Sequence, residues 1–252
     1  MTESFQSSVE SPEKTLLPKE LFTLQVQFAT EVARQKGSSL SETLLQYTSA
    51  HIRLFHHPGK GVAEGWVDFV EKLSDNSESI VDSIYDAYVI KEEAMQNEPT
   101  EGVEAFGCFS HEYKEIGNTF VLHFDNKDSA GNLGRDRIDA RQEDLQKLTK
   151  SVASQHRQDA QIQITSWLLC VDAFNRLLPP EFVESIQDVE MDAAQENSLW
   201  GQFLDKSGEV KIDLAEQLLA NIKNGELPVT DCFPNRLKTA KVPQEVFFTQ
   251  YL

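Results

Sequence analysis

The chain has 252 residues, with 41 aspartates and glutamates against 23 lysines and arginines, a formal net charge of −18. That balance excludes a sequence-independent grip on DNA or RNA, which is driven by Lys and Arg displacing counterions from phosphates, and it disfavours an anionic membrane surface. A chain of this length buries a core as one large domain or a compact pair without disulfide staples. Its three cysteines, Cys108, Cys170 and Cys232, form no CxxC pair, and no apolar run approaches the ~18 residues of a membrane span.

Residues 1–17 are rich in Ser, Glu and Thr and read as a disordered lead-in, with neither the basic nor the apolar stretch of a signal peptide, which fits a cytoplasmic location. Leu21, Leu24, Phe28 and Val32 then recur at spacings of three and four. Pro18 ahead of them and Gly37 behind predict a helix with both ends marked. Ser39 and Glu42 have the spacing of a capping box for a second helix through Leu44, Leu45, Thr48, Ile52 and Phe55, which should end at His56-His57-Pro58-Gly59. Shorter helices are expected through Trp66, Phe69, Val70 and Leu73 and through Ile80, Ile84, Tyr85 and Tyr88, so residues 18–98 read as a helical N-terminal part.

At residues 98–102 the period changes from helical to extended. The stretches 103–113 and 119–125 are aromatic-rich runs joined through Gly117-Asn118, the pattern of an antiparallel hairpin. A long helix is expected from about Arg135 to His156. A buried strand over 160–165 should follow and run into Ser166-Trp167-Leu168-Leu169, then a short helix stopped by Pro179-Pro180, a strand over 182–189 and a helix over 211–223. The expected fold class is α/β in the α+β sense, a helical N-terminal part packed on a mixed sheet flanked by helices, with the α/β part filling residues 99–252.

Two arrangements of the hairpin follow from its register. Pairing residue 111 with 123 puts Phe106, Cys108, Phe120, Leu122 and Phe124 on one face. His111, Tyr113, His123 and Asp125 then share the other with Phe109 and Val121, the raw material of an acid/base or metal site. A slip of one residue instead sets Cys108 and Ser110 beside His123. Cys108, His111 and His123 make a poor zinc set, because the first two alternate across the strand and no fourth ligand is evident, so no metal site is expected. The segment 205–216 has oxygen side chains at calcium-loop positions, but Val210 stands where a glycine is needed, which leaves a plain turn before the next helix. His56-His57-Pro58-Gly59-Lys60-Gly61 lacks the spacing of a nucleotide loop.

The stretch from Phe106 to Phe124 and the stretch from Ser166-Trp167-Leu168-Leu169 through Leu178-Pro179 to Trp200-Gly201-Gln202-Phe203 resemble a family of uncharacterised bacterial proteins. More remotely, a strand ending at His123, a second ending in Ser166-Trp167-Leu168-Leu169, then Leu178-Pro179 and Ser185-Ile186-Gln187 resemble the C-terminal half of GNAT-like acyltransferases, over about residues 105–205. That resemblance implies transfer from acyl-coenzyme A or another acyl thioester to an amine or hydroxyl. On that reading His123 is the general base, Ser166 donates to the developing oxyanion, and Trp167, His111 and Tyr113 shape the pocket for a small acyl ligand. Lys127, Arg135 and Arg137 would hold the coenzyme phosphates. Residues 1–100 hold 16 acidic and 8 basic side chains and residues 101–252 hold 25 and 15, so a polyanionic coenzyme needs those three cations to converge. The alternative reading, from another class, is a non-catalytic acidic module that binds a protein partner through its N-terminal helices.

Overall fold

Pro18 and Gly37 bracket the first helix, as their chemistry predicts. In a computed structural model that describes residues 16–55, 65–73, 77–96, 104–125, 128, 133–189 and 193–252, α1 (Lys19–Lys36) starts after an extended Pro18 and stops at Gly37 in the left-handed conformation, φ 66°. Ser39 and Glu42 close the capping box of α2 (Leu40–Tyr47): Ser39 Oγ accepts the Glu42 N–H at 3.2 Å, and the Glu42 carboxylate accepts the Ser39 N–H at 3.1 Å. The continuous helix expected through Phe55 is broken at Thr48-Ser49 and resumes as α3 (Ala50–Phe55). The cause is Gln25, buried on α1, whose Oε1 accepts both the N–H of Ser49 at 2.9 Å and its hydroxyl at 3.2 Å. A buried tertiary hydrogen bond here outweighs helical continuity. After α4 (Trp66–Val70) and α5 (Ser77–Gln96) the helical run ends. The segment 56–61, the change of period at 98–102 and most of the expected lead-in lie outside the described residues.

The sheet is built from β1 (Ala105–Phe106), β2 (Phe109–Lys114), β3 (Thr119–Phe124), β4 (Gln161–Ser166), β5 (Gln187–Asp188) and β6 (Lys238–Pro243), in the order β1-β2-β3-β4-β6-β5. Only β3 and β4 are parallel, and α6 (Ile138–Ser154) makes the crossover between them. A 3-10 turn (Trp167–Cys170), α7 (Asp172–Asn175) and α8 (Pro180–Glu184) follow β4. A long 3-10 segment (Ala193–Phe203), α9 (Ile212–Asn224) and a 3-10 turn (Val229–Cys232) precede β6, and α10 (Gln244–Tyr251) closes the chain. The strand expected over 182–189 is confined to β5, and residues 182–184 belong to α8. Pro180 occupies the first helical position, where its missing N–H costs nothing, so the Pro-Pro pair starts a helix as well as stopping one.

All the covering helices lie on one side of the sheet. Leu145, Leu148 and Val152 of α6, Phe174 of α7, Phe182 of α8 and Phe247 of α10 form one buried cluster with Phe120, Leu122, Ile162, Ile164 and Ala240. On the opposite face, Glu112, His123 and Lys241 are exposed and Gln163, Thr165 and Thr239 are half-buried. The strand expected as buried, β4, is therefore buried on one face only. A second cluster joins Leu21, Leu24, Phe28 and Val32 of α1 to Leu199, Trp200, Phe203, Leu218, Ile222 and Phe233, so the cores do not follow a division at residue 98. C-terminal segments complete the core of the first helix. Trp167 packs against both this cluster and the sheet cluster. Among the described residues, no helix is long and apolar enough to cross a membrane.

Candidate functional site

The hairpin register decides what the candidate residues can do together. Ser110 pairs with His123 and His111 with Leu122, so the pairing of 111 with 123 is replaced by the arrangement one residue away. Two features set it. A four-residue turn closes Lys114 on Thr119 with Gly117 and Asn118 at φ 90° and 46°, and this register buries Phe109 at 1% exposure together with Phe120 and Leu122. His111 and Tyr113 consequently share the covered face with those side chains, while His123 points from the open one. Cys108 does not stand beside His123 either. It lies in the turn that Gly107, at φ 62°, makes between β1 and β2.

His123 sits in a solvated setting. Its Nε2 is 3.7 Å from Glu112 Oε1, which also meets Lys114 Nζ at 3.0 Å, and all three side chains are about half exposed. Pairs of this kind contribute little. His111 is different: burial pushes its imidazole pKa down, its ring stacks on Phe106, and its Nε2 lies 3.3 Å from Ser151 Oγ on α6. Ser151 in turn donates its proton to Glu104 at 3.2 Å. Because the serine has one proton and gives it to the carboxylate, the ring must donate at Nε2, leaving a buried Nδ1 with no partner. Nucleophilic catalysis needs the opposite order, with the carboxylate on the imidazole and the imidazole taking the serine proton. Tyr113 is fixed structurally: its hydroxyl donates to Asn118 Oδ1 at 2.8 Å and Arg157 lies over its ring.

Ser166 is at the end of β4, on the covered side with Ile162 and Ile164, and its Oγ accepts the N–H of Leu168 at 3.1 Å to cap the following turn. His123 and Ser166 therefore project from opposite faces of the sheet and do not converge. Trp167 joins the two cores. Of the three cations expected for a coenzyme, Lys127 lies outside the described residues, Arg135 is exposed on a 3-10 turn, and Arg137 is bonded to Asp128.

Among the described residues, a densely bonded polar cluster is one that the sequence did not single out. Arg141, 5% exposed on α6, meets Asp128 at 2.7 Å and Asp144 at 2.9 Å and bonds to Cys108 Sγ, while the Cys108 N–H reaches Asp144 at 3.4 Å. A Cβ on Gly107 would come within 2.1 Å of the Asp144 carboxylate, so the glycine lets the turn close on the ion pair. The only sequence signal for it was a Gly-Cys break in an otherwise extended run. In the calcium-like segment, Asp205 Oδ1 accepts the N–H groups of Ser207 and Glu209 and the Ser207 hydroxyl, which holds its carboxyl below the usual range; the loop is a hydrogen-bonded turn. Among the described residues no three His, Cys, Asp or Glu side chains are grouped to hold a metal ion. No protein-family model matches the chain, and neither a curated protein nor a solved structure is detectably similar to it.

Proposed function

We propose that this chain is a non-catalytic interaction module that docks a basic partner protein on the outer face of α5. The observation that carries the reading is a stripe at four-residue spacing, Asp82, Asp86 and Ile90, with Ile90 68% exposed and Met95 beyond it at 43%. Single exposed apolar side chains are ordinary; one that continues a row of aligned carboxylates at four-residue spacing offers a partner an apolar and an acidic contact on one helix face. Lys19 meets Asp82 at 2.6 Å, but both side chains are half exposed and a basic partner can replace that contact at small cost. The net charge of −18 adds a long-range field that draws a basic protein in. Acyl transfer by His123 with Ser166 finds less support, since it requires two side chains on opposite faces to act at one carbon.

The test is a photo-crosslinking residue placed at position 90 in living cells. The expected result is a defined adduct with a basic protein, lost when Asp82 and Asp86 are changed to Lys and retained in His123→Ala. An equal adduct from position 123, or none from position 90, would reject the reading. Thermal-shift measurement with acetyl-coenzyme A addresses the acyl reading separately, and no stabilisation at about millimolar ligand is expected.

A further inference from the structure

We infer that Asn224, the last residue of α9, is a site of spontaneous covalent modification, in which its side-chain amide is lost to attack by the following main-chain nitrogen. Ten asparagines occur in the chain, and Asn224 alone is followed by glycine. Glycine has no Cβ to shield its nitrogen and reaches main-chain conformations closed to other residues. Asn224 and Gly225 are both exposed, as are their neighbours Lys223 and Glu226.

Helices α1 and α9 both stop at a left-handed glycine, but the two ends are bonded differently. Such a glycine ordinarily gives its N–H to a carbonyl of the last turn. In α1 Gly37 does so with Ala33, and the Ser38 N–H joins the same carbonyl at 3.2 Å. In α9 the Ile222 carbonyl, one of the acceptors open to Gly225, is bonded instead by the Gln35 side chain from α1. Among the described residues the Gly225 N–H makes no hydrogen bond. Turning it toward the Asn224 side chain therefore breaks none, and a helix end opens at low cost. Asn221, one turn earlier, is the contrast. Its side-chain amide donates to the Cys232 carbonyl at 3.3 Å, and the β-branched Ile222 follows it inside the helix.

The Gly225 nitrogen attacks Asn224 Cγ as it loses its proton. The nitrogen–Cγ bond forms, the Cγ–Nδ2 bond breaks, and ammonia leaves with that proton, so the product is a five-membered succinimide. Water then opens the ring at one carbonyl or the other, giving aspartate or isoaspartate, in which the main chain runs through the side chain. Either product sets a carboxylate at the negative end of the α9 dipole. The iso form also lengthens the backbone by one carbon at the turn that the Gln35 bond adjoins. This site is independent of the α5 face.

The experiment holds the full folded chain at mildly alkaline pH for weeks and reads it by mass spectrometry after cleavage at Glu216 and Glu226. The peptide spanning 217–226 carries both Asn221 and Asn224, so each sample contains its own control. A mass gain of about 1 Da is expected on Asn224, as a mixture of aspartate and isoaspartate, and none on Asn221. Asn224→Gln should abolish it, because the larger ring closes far more slowly. Gln35→Ala frees the Ile222 carbonyl for the Gly225 N–H and should slow the reaction about fivefold, the worth of one net hydrogen bond. The folded chain should react within about tenfold of the urea-denatured chain, since little has to open. Equal gain at Asn221, protection of Asn224 beyond about a hundredfold relative to the denatured chain, or an unchanged or faster rate in Gln35→Ala would overturn the inference.

Discussion

The two faces of the sheet share every strand and almost nothing else. On the covered face, Phe109, Phe120, Leu122, Ile162 and Ile164 are each 3% exposed or less and are locked under α6 and α10. On the other face, Gln163, Thr165 and Thr239 bond to one another at 3.0–3.4 Å, and His123 and Glu112 stand half in solvent. The strands thus carry stability on one side and a solvated polar surface on the other. Chemistry-bearing residue types on adjacent strands do not make a site unless the pleat puts them on one side.

Substitutions that probe this contrast should differ sharply in cost. Phe120→Ala, on the covered face, is expected to destabilise by about 3–5 kcal/mol in denaturant melts. Asp144→Ala, at the edge of that face, removes one of the two carboxylates that pair with buried Arg141 and leaves Asp128, and should cost about 1.5–3 kcal/mol. A cost near zero for either would mean that the covered face is not the core.

Acid should act next. His51 and His111 are both held neutral by burial, with pKa values below the ordinary histidine value. The unfolded chain takes up protons near pH 6.5 while the native state resists. Their contribution to stability is therefore complete above about pH 6.5 and lost as pH falls through the lower native values. Comparing denaturation midpoints at pH 7.5 and 5.5 should show the fall, and His111→Gln should reduce it. In the helical half, Ser39→Ala removes one member of the capping box and should cost about 1 kcal/mol. On the open face His123→Ala should change stability by no more than about 0.5 kcal/mol, and a larger loss would show that something covers that face.

Much of this architecture was legible where the signal is local. Pro18, Gly37, Ser39 with Glu42, and Gly225 mark helix ends by chemistry that acts within a few residues, and each lies at the end it marks. The hairpin and its turn were legible for the same reason. Its register was not, because Phe106, Phe109, Phe120, Leu122 and Phe124 leave an apolar face in either alignment, and the decision falls to the four-residue turn at 115–118 and the burial of Phe109. Strand β6 has only Ala240 and Val242 on its covered side and ends in Pro243, too thin a pattern to announce a strand that pairs with all of β4. The break at Thr48-Ser49 depends on Gln25 from another helix. The bond from the Gln35 side chain to the Ile222 carbonyl spans nearly 190 residues, and the Glu104–Ser151–His111 chain likewise joins residues from three separate stretches of sequence. Contacts of that range leave no periodic trace in a single sequence.

The account turns on the separation of His111 from His123, and nuclear magnetic resonance of the folded chain tests it most directly. Cross-strand contacts from Ser110 to His123 and from His111 to Leu122 are expected, with the His111 ring near Ser151 and the His123 ring near Glu112. Contacts between the His111 and His123 side chains, with Ser166 close to the His123 ring, would contradict the separation and restore an acid/base site on the sheet.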